Sequence, residues 1–141
     1  MQKTYQVNAF SFYAIVNIIT TIAKELSVGG SVVAVSSNLT QKRNKWTASY
    51  ISSKMALEGM VKSFAQTYGS YDIRFNVVSP GMFPSELNGY NVPDRFKANA
   101  PLGRICEVEE ITSMIMYLLS DEARSITAQN IVIDGGNSNG Y

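Results

Sequence analysis

Ser37 stands thirteen residues before Tyr50, and Lys54 follows Tyr50 by four. On a helix beginning near residue 48, positions 50 and 54 lie one above the other on the same face, bringing a lysine ammonium within reach of a tyrosine phenol. A fixed cation favours the phenolate, so a phenol whose ordinary pKa is about 10 is pulled toward the working pH and becomes a usable proton donor and acceptor. Ser37 follows the apolar run Ser31 to Val35, the pattern of a buried strand. A hydroxyl at the C-terminal tip of a strand is where open α/β sheets place their ligands. The three side chains can meet at one carbonyl oxygen, and the chemistry they offer is proton transfer at that oxygen.

A tyrosine with a lysine four residues on, in a chain holding eight tyrosines, is ordinarily a solvated helix face. The order of the surrounding elements argues for more. A strand leads to Ser37, a polar loop runs from 38 to 47, and a helix carries Tyr50 and Lys54. A second strand from Ile73 to Val78 then ends at Ser79-Pro80-Gly81, because Pro80 cannot donate to a ladder.

The remaining elements follow from periodicity and turn residues. A largely buried helix is expected from about Gln2 to Leu26, with Val7, Phe10, Tyr13, Ala14, Ile18 and Ile22 at helical spacing. Ser27 to Gly30 closes it, glycine accepting the left-handed conformation at a helix end. Gly29-Gly30 is a turn and not a phosphate loop, since it follows a helix and precedes a strand. The tyrosine helix runs from Ala48 to Tyr68, with Met55, Leu57, Met60, Val61, Phe64, Ala65 and Tyr68 as its apolar stripe and Gly69 as its stop; Trp46, just before it, anchors the loop. Residues 81 to 103 hold three of the four prolines, a long excursion with a short helix near Ser85 to Tyr90; long irregular loops in compact domains are usually functional. A helix from Glu107 to Leu119 turns Met114, Ile115, Leu118 and Leu119 inward, and a third strand spans Asn130 to Asp134. Helix and strand alternate, which implies parallel strands joined by crossovers.

Composition removes several alternatives. At 141 residues with 45% hydrophobic and 16% charged residues, the chain has the make-up of one soluble globular domain over residues 1–141. A net charge of +1 offers no stripe for nucleic acid, and Lys42-Arg43-Asn44-Lys45 reads as a solvated loop. The apolar segment from Ala9 to Ala23 is broken by polar residues and short for a membrane span. The single cysteine, Cys106, fits a reducing, cytoplasmic setting. Without any histidine, Ser-His-Asp hydrolysis and the usual zinc sites are excluded. The sequon Asn38-Leu39-Thr40 is read as accidental.

Nearly the whole chain resembles the C-terminal part of the short-chain dehydrogenase/reductase family. The resemblance rests on Val7-Asn8, Ser37, Tyr50-x-x-x-Lys54, Arg74-x-Asn76 leading to Pro80-Gly81, and the run from Ile126 to Asp134-Gly135-Gly136, which occur in the family's order. It implies a fold that is α/β, a partial doubly wound Rossmann-type parallel sheet of about three strands with flanking helices. It implies Tyr50 as general acid/base, Ser37 as the hydrogen-bond partner of the substrate oxygen, Lys54 on the nicotinamide ribose and Asn8 holding a water of the proton relay. Pro80, Gly81 and Ser85 fall at cofactor-contacting positions, and residues 82 to about 101 at the segment covering the substrate. NAD or NADP would be the cofactor, a small alcohol or ketone the substrate, and a homo-oligomer the intact form.

The chain departs from the family at its start. Family members open with a strand, a T-G-x-x-x-G-x-G turn and a helix that hold the pyrophosphate and adenosine, and that N-terminal βαβ half is absent from these residues. The strand at 31–35 is therefore expected to expose an unpaired apolar edge. Two functions follow as alternatives: an NAD(P)-dependent oxidoreductase, or a truncated or split homologue that acts by pairing with a full-length partner.

Overall fold

The computed structural model describes residues 1–138 apart from Arg43, Asn44, Trp46 and Leu87, so the expected anchoring role of Trp46 and part of the basic run at 42–45 lie outside the described residues. Three parallel strands, β1 (Gly30–Val35), β2 (Ile73–Pro80) and β3 (Asn130–Ile133), form a sheet in the order β1-β2-β3. β1 pairs with β2 from Gly30 against Ile73 to Val35 against Val78, and β2 with β3 from Val77 against Asn130 to Pro80 against Ile133. All three strands thus end along one rim. Pro80 is itself the last residue of β2, so the strand runs two residues beyond Val78. Its imide nitrogen is tolerated there because the ladder is ending.

Helices cover both faces. On one side lie α1 (Gln2–Tyr5), α2 (Ser11–Leu26) and α3 (Ala48–Tyr68), where Val16, Leu57, Val61, Phe64 and Ala65 enclose Ala34, Phe75 and Val77 of the sheet. On the other lies α5 (Val108–Leu119), packing Ile111 and Leu118 with Cys106 and Ala123 onto Val78. Alternate residues of β2 face opposite layers, as the pleat requires. Among the described residues the edge of β1 away from β2 is unpaired, as expected.

The first helix corrects the reading of its apolar stripe. It runs from Gln2 to Leu26, with one π-turn at Gln6–Phe10 joining α1 to α2, yet Val7 is 65% exposed, Ile18 62% and Phe10 61%, and Tyr13 and Ile22 are exposed too. The buried residues are Ala9, Val16 and Thr20. The helix is amphipathic, with Asn17, Thr20, Thr21, Lys24 and Glu25 on one side; the sheet takes only a flank of its apolar face, whose centre at Ile15, Ile18, Ile22 and Leu26 stays exposed. At 25 residues it is also long and apolar enough, by length and composition, to cross a membrane, contrary to the expectation from its central segment. Met55 of α3 and Leu119 of α5 likewise turn outward.

Turns and short elements differ in detail. Ser27, not a glycine, takes the left-handed conformation that ends α2 (φ 53°). Gly29 is required for another reason: a Cβ there would lie 2.8 Å from the Asp72 carbonyl oxygen. α3 ends at Tyr68 with Gly69 as its cap residue, in the right-handed conformation, and the chain continues through a 3₁₀ turn to Asp72 (φ 58°). The short helix of the 81–103 excursion is α4 (Arg95–Ala98). Near Ser85 the chain instead makes a turn in which Ser85 Oγ accepts from the Asn88 amide and Asn88 Nδ2 donates to the Phe83 carbonyl. Glu107 precedes α5 as its cap, exchanging side-chain and backbone hydrogen bonds with Glu110, an arrangement that satisfies two of the helix's free amides.

Candidate active site

Tyr50 and Lys54 sit in the first turns of α3, both half-buried. The Lys54 ammonium lies 5.9 Å from the centre of the Tyr50 ring, near the limit for attraction between a cation and an aromatic face. Its hydrogen bond goes to the Val35 carbonyl at 2.8 Å rather than to the phenol oxygen. The pair is therefore fastened to the tip of β1, two residues before Ser37. Burial pushes the Lys54 pKa down, and the nearby Glu58 carboxylate opposes the change. Two of the three ammonium protons have no acceptor among the described residues.

Ser37 is buried and caps the 3₁₀ turn Asn38–Gln41. Its Oγ accepts from the Leu39 amide at 3.2 Å, which leaves its own proton available to donate. Among the described residues no hydrogen bond joins the hydroxyls of Ser37 and Tyr50. Asn8 falls in the π-turn, a distortion often found at functional positions. Its Nδ2 donates to Ser53 Oγ at 3.0 Å, and Ser53 donates onward to the Tyr50 carbonyl at 2.7 Å. Ser53 is wholly buried, so this chain of bonds ties the first helix to the tyrosine's own turn.

At the ends of β2 and β3 the glycine of Pro80-Gly81 has a packing role that its motif does not reveal. A Cβ on Gly81 would sit 2.6 Å from Cβ of Asp134, closer than atoms can approach. Asp134 accepts from Asn38 Nδ2 (2.9 Å), the Gly136 amide (3.0 Å) and the amide and hydroxyl of Ser138. Burial would raise its pKa, but the bonds from Ser138, Asn38 and Gly136 hold it below the usual carboxylate value. Arg74 and Asn76 also prove structural. Arg74 donates to the carbonyls of Leu118, Ser120 and Ile126, closing the C-terminal end of α5, and Asn76 bridges Ile126 and Gln129. Ser85 lies on the excursion, bonded within its own turn.

A cavity of about 570 Å³ opens beyond the end of β3, lined by Arg104, Cys106, Glu110, Asp134, Gly136 and Ser138 among others. None of Ser37, Tyr50 or Lys54 lines it. Arg104 makes two bonds to Glu110 across its mouth (2.7 and 2.8 Å), and this guanidinium holds the Glu110 carboxyl down at about 2. Spacing pointed to Ser37, Tyr50 and Lys54, and the family resemblance added Asn8. Spacing gave no sign of Ser53, Glu58 or Asp134, whose partners lie far off in the chain.

Residues 1–138 match the sequence family described as enoyl-(acyl carrier protein) reductase. The chain is 30% identical to D-erythrulose reductase of Gallus gallus over 96% of its own length and 57% of that protein's. It is 32% identical to an L-rhamnose 1-dehydrogenase (NAD(P)(+)) of Azotobacter vinelandii, over 95% of this chain and 54% of that one. Its structure superposes on 4-hydroxyisoleucine dehydrogenase complexed with NADH at a TM-score of 0.90 and 32% identity, covering 97% of this chain and 58% of the other. A short-chain type dehydrogenase/reductase from Mycobacterium ulcerans gives 0.91 at 26% identity, over 99% and 52%. The chain thus spans somewhat more than half the length of these relatives. Because it shares both fold and sequence with them along nearly all of its own length, it belongs to the short-chain dehydrogenase/reductase family, a family of oxidoreductases.

Proposed function

We infer that residues 1–141 are one domain, the catalytic portion of an NAD(P)-dependent oxidoreductase acting between a small alcohol and its ketone, with Tyr50 as acid/base. The observation that carries this reading is Lys54: a half-buried ammonium on the tyrosine's helix face, tied to the tip of β1 by the Val35 carbonyl, with two protons still to offer. In reduction Tyr50 gives its proton to the carbonyl oxygen, and in oxidation it takes one from the alcohol. Ser37 donates a hydrogen bond to the same oxygen. Asn8 holds the first helix to the tyrosine's turn through Ser53, the placement a water of the proton relay would need.

NAD or NADP, when bound, supplies the nicotinamide carbon that carries the hydride. The residues present fit the nicotinamide end of such a cofactor, since the free protons of Lys54 suit ribose hydroxyls and Pro80 ends the central strand with Gly81 and Ser85 following it. The pyrophosphate end requires a glycine-rich turn opening a helix. The 141 residues contain no such motif, so its donors must come from another segment.

Lys54→Met preserves much of the side chain's length and removes its charge. In the chain joined behind the glycine-rich half of a relative, it should weaken both nucleotide binding and turnover, each by about tenfold or more, since a charge-assisted hydrogen bond and a catalytic cation are lost together. Titration by NADH fluorescence alongside steady-state rates checks this. Full affinity in the Met variant would remove Lys54 from the ribose.

A second reading, a split or truncated homologue acting through a full-length partner, draws on two features: the unpaired edge of β1 and the exposed apolar face of α2. In either case we propose that the chain self-associates. Val7, Phe10, Ile15, Ile18, Ile19 and Ile22 are all exposed on the first helix, an apolar surface of the kind that pairs subunits. Light scattering at micromolar concentration should report a dimer or tetramer, and a monomer would count against the proposal. A cytoplasmic setting is proposed from the lone cysteine, Cys106, a buried free thiol.

A further inference from the structure

Ser37 is bonded only within its own turn among the described residues, whereas the residues on either side of it are held by two other elements. Ser36 is buried; its amide donates to the Val78 carbonyl at 2.8 Å and its Oγ to Glu58 Oε1 at 2.5 Å. Glu58 lies on α3, eight residues past Tyr50 and one turn past Lys54. Asn38, also buried, donates to Asp134 at the end of β3 (2.9 Å). Asp134 is in turn fixed by the Gly136 and Ser138 amides and seated against Gly81.

The geometry points to Glu58 and Asp134 as positioning residues for Ser37: the two carboxylates grip its neighbours from the tyrosine helix and from the C-terminal strand, and so set where its hydroxyl stands relative to Tyr50. The inference deepens the reading of Ser37 as the group that bonds the substrate oxygen, and rests on it. A reacting hydroxyl on a loop is only as well placed as the backbone beside it, and productive geometry is held to about 0.5 Å. A carboxylate oxygen accepts, so the Ser36 hydroxyl proton and one of the two Asn38 amide protons are committed to Glu58 and Asp134. Because Glu58 and Tyr50 share one rigid helix, any shift of the tyrosine carries Ser36 with it.

The test is local hydrogen exchange in the 141-residue chain, followed by mass spectrometry on segments 36–41 and 73–80. The Leu39 and Thr40 amides donate to Ser37 Oγ and Ser37 O, so they report its placement. Glu58→Ala and Asp134→Ala should each speed exchange in segment 36–41 by about tenfold, the worth of one buried hydrogen bond, with segment 73–80 little changed. Glu58→Gln and Asp134→Asn keep an acceptor oxygen and should restore slow exchange. Ser36→Ala and Asn38→Ala cut the same bonds from the other end with little loss of volume, and should repeat the tenfold effect even if a carboxylate-free variant fails to fold. Unchanged exchange at 36–41, equal acceleration in both segments, or no rescue by the amides would each overturn the inference. Tyr50→Phe separates it from the catalytic reading, because that substitution should leave exchange at 36–41 untouched whatever it does to turnover.

Discussion

Tyr50→Phe, assayed in the chain joined behind the glycine-rich half of a relative such as the L-rhamnose dehydrogenase, should reduce turnover by about 10²–10⁴ while leaving nucleotide affinity within about twofold, the usual reach of one general acid/base. The substitution removes one oxygen and keeps the ring. Packing at the start of α3 is thus preserved, and Lys54 keeps its bond to the Val35 carbonyl, since that bond does not involve the phenol. The loss should fall on the maximal rate and not on the Michaelis constants, because the proton moves only as the reaction proceeds. Steady-state kinetics and a nucleotide titration on the same preparation measure both. A Phe variant that retains most of its activity would remove Tyr50 from the chemistry and leave Ser37 and Lys54 as a binding site only.

The second large effect concerns the cofactor. These 141 residues alone should give no detectable heat on titration with NAD or NADP up to about millimolar concentration, whereas a polypeptide bringing the glycine-rich turn should restore binding to the micromolar range, a difference of about 4 kcal/mol or more. The physical reason is the donor set. The described residues at the ends of β1, β2 and β3 offer Lys54 and Lys42, a few hydroxyls and the backbone beside Gly81, without the glycine-rich turn opening a helix that pyrophosphate requires. The free edge of β1 can accept a further parallel strand, because it presents unpaired backbone groups and no charged side chain from Gly30 to Val35. Micromolar binding by the isolated chain would show that its own residues suffice. It would also decide against the reading as a partner-dependent homologue.

Much of the site was legible before any coordinates because its main spacing is local. Tyr50 and Lys54 share a helix face by i, i+4 geometry alone, and Ser37 follows an apolar run that forms a strand, although only Ala34 of it is buried. The order of elements, the parallel sheet and the turn after β2 follow from periodicity and proline. The first helix shows where this reasoning stops. Spacing identified a helix from Gln2 to Leu26 correctly and then chose Val7, Phe10 and Ile18 as its buried side, when the buried residues are Ala9, Val16 and Thr20. An amphipathic pattern shows which face is apolar, but not whether the sheet is what covers it.

By itself, then, the sequence determined the succession of helices and strands, the family, and the pairing of a phenol with an ammonium on one turn of helix, since each depends on residues no more than a few positions apart or on motifs read in order. Tertiary structure alone decided that the ammonium spends its first hydrogen bond on the Val35 carbonyl, that Gly81 is a glycine because Asp134 lies against it, and that Glu58 and Asp134 hold the residues on either side of Ser37. Those contacts join positions 19, 53, 22 and 96 residues apart. No local propensity encodes them, because each exists only after the sheet has brought the ends of its strands to one rim.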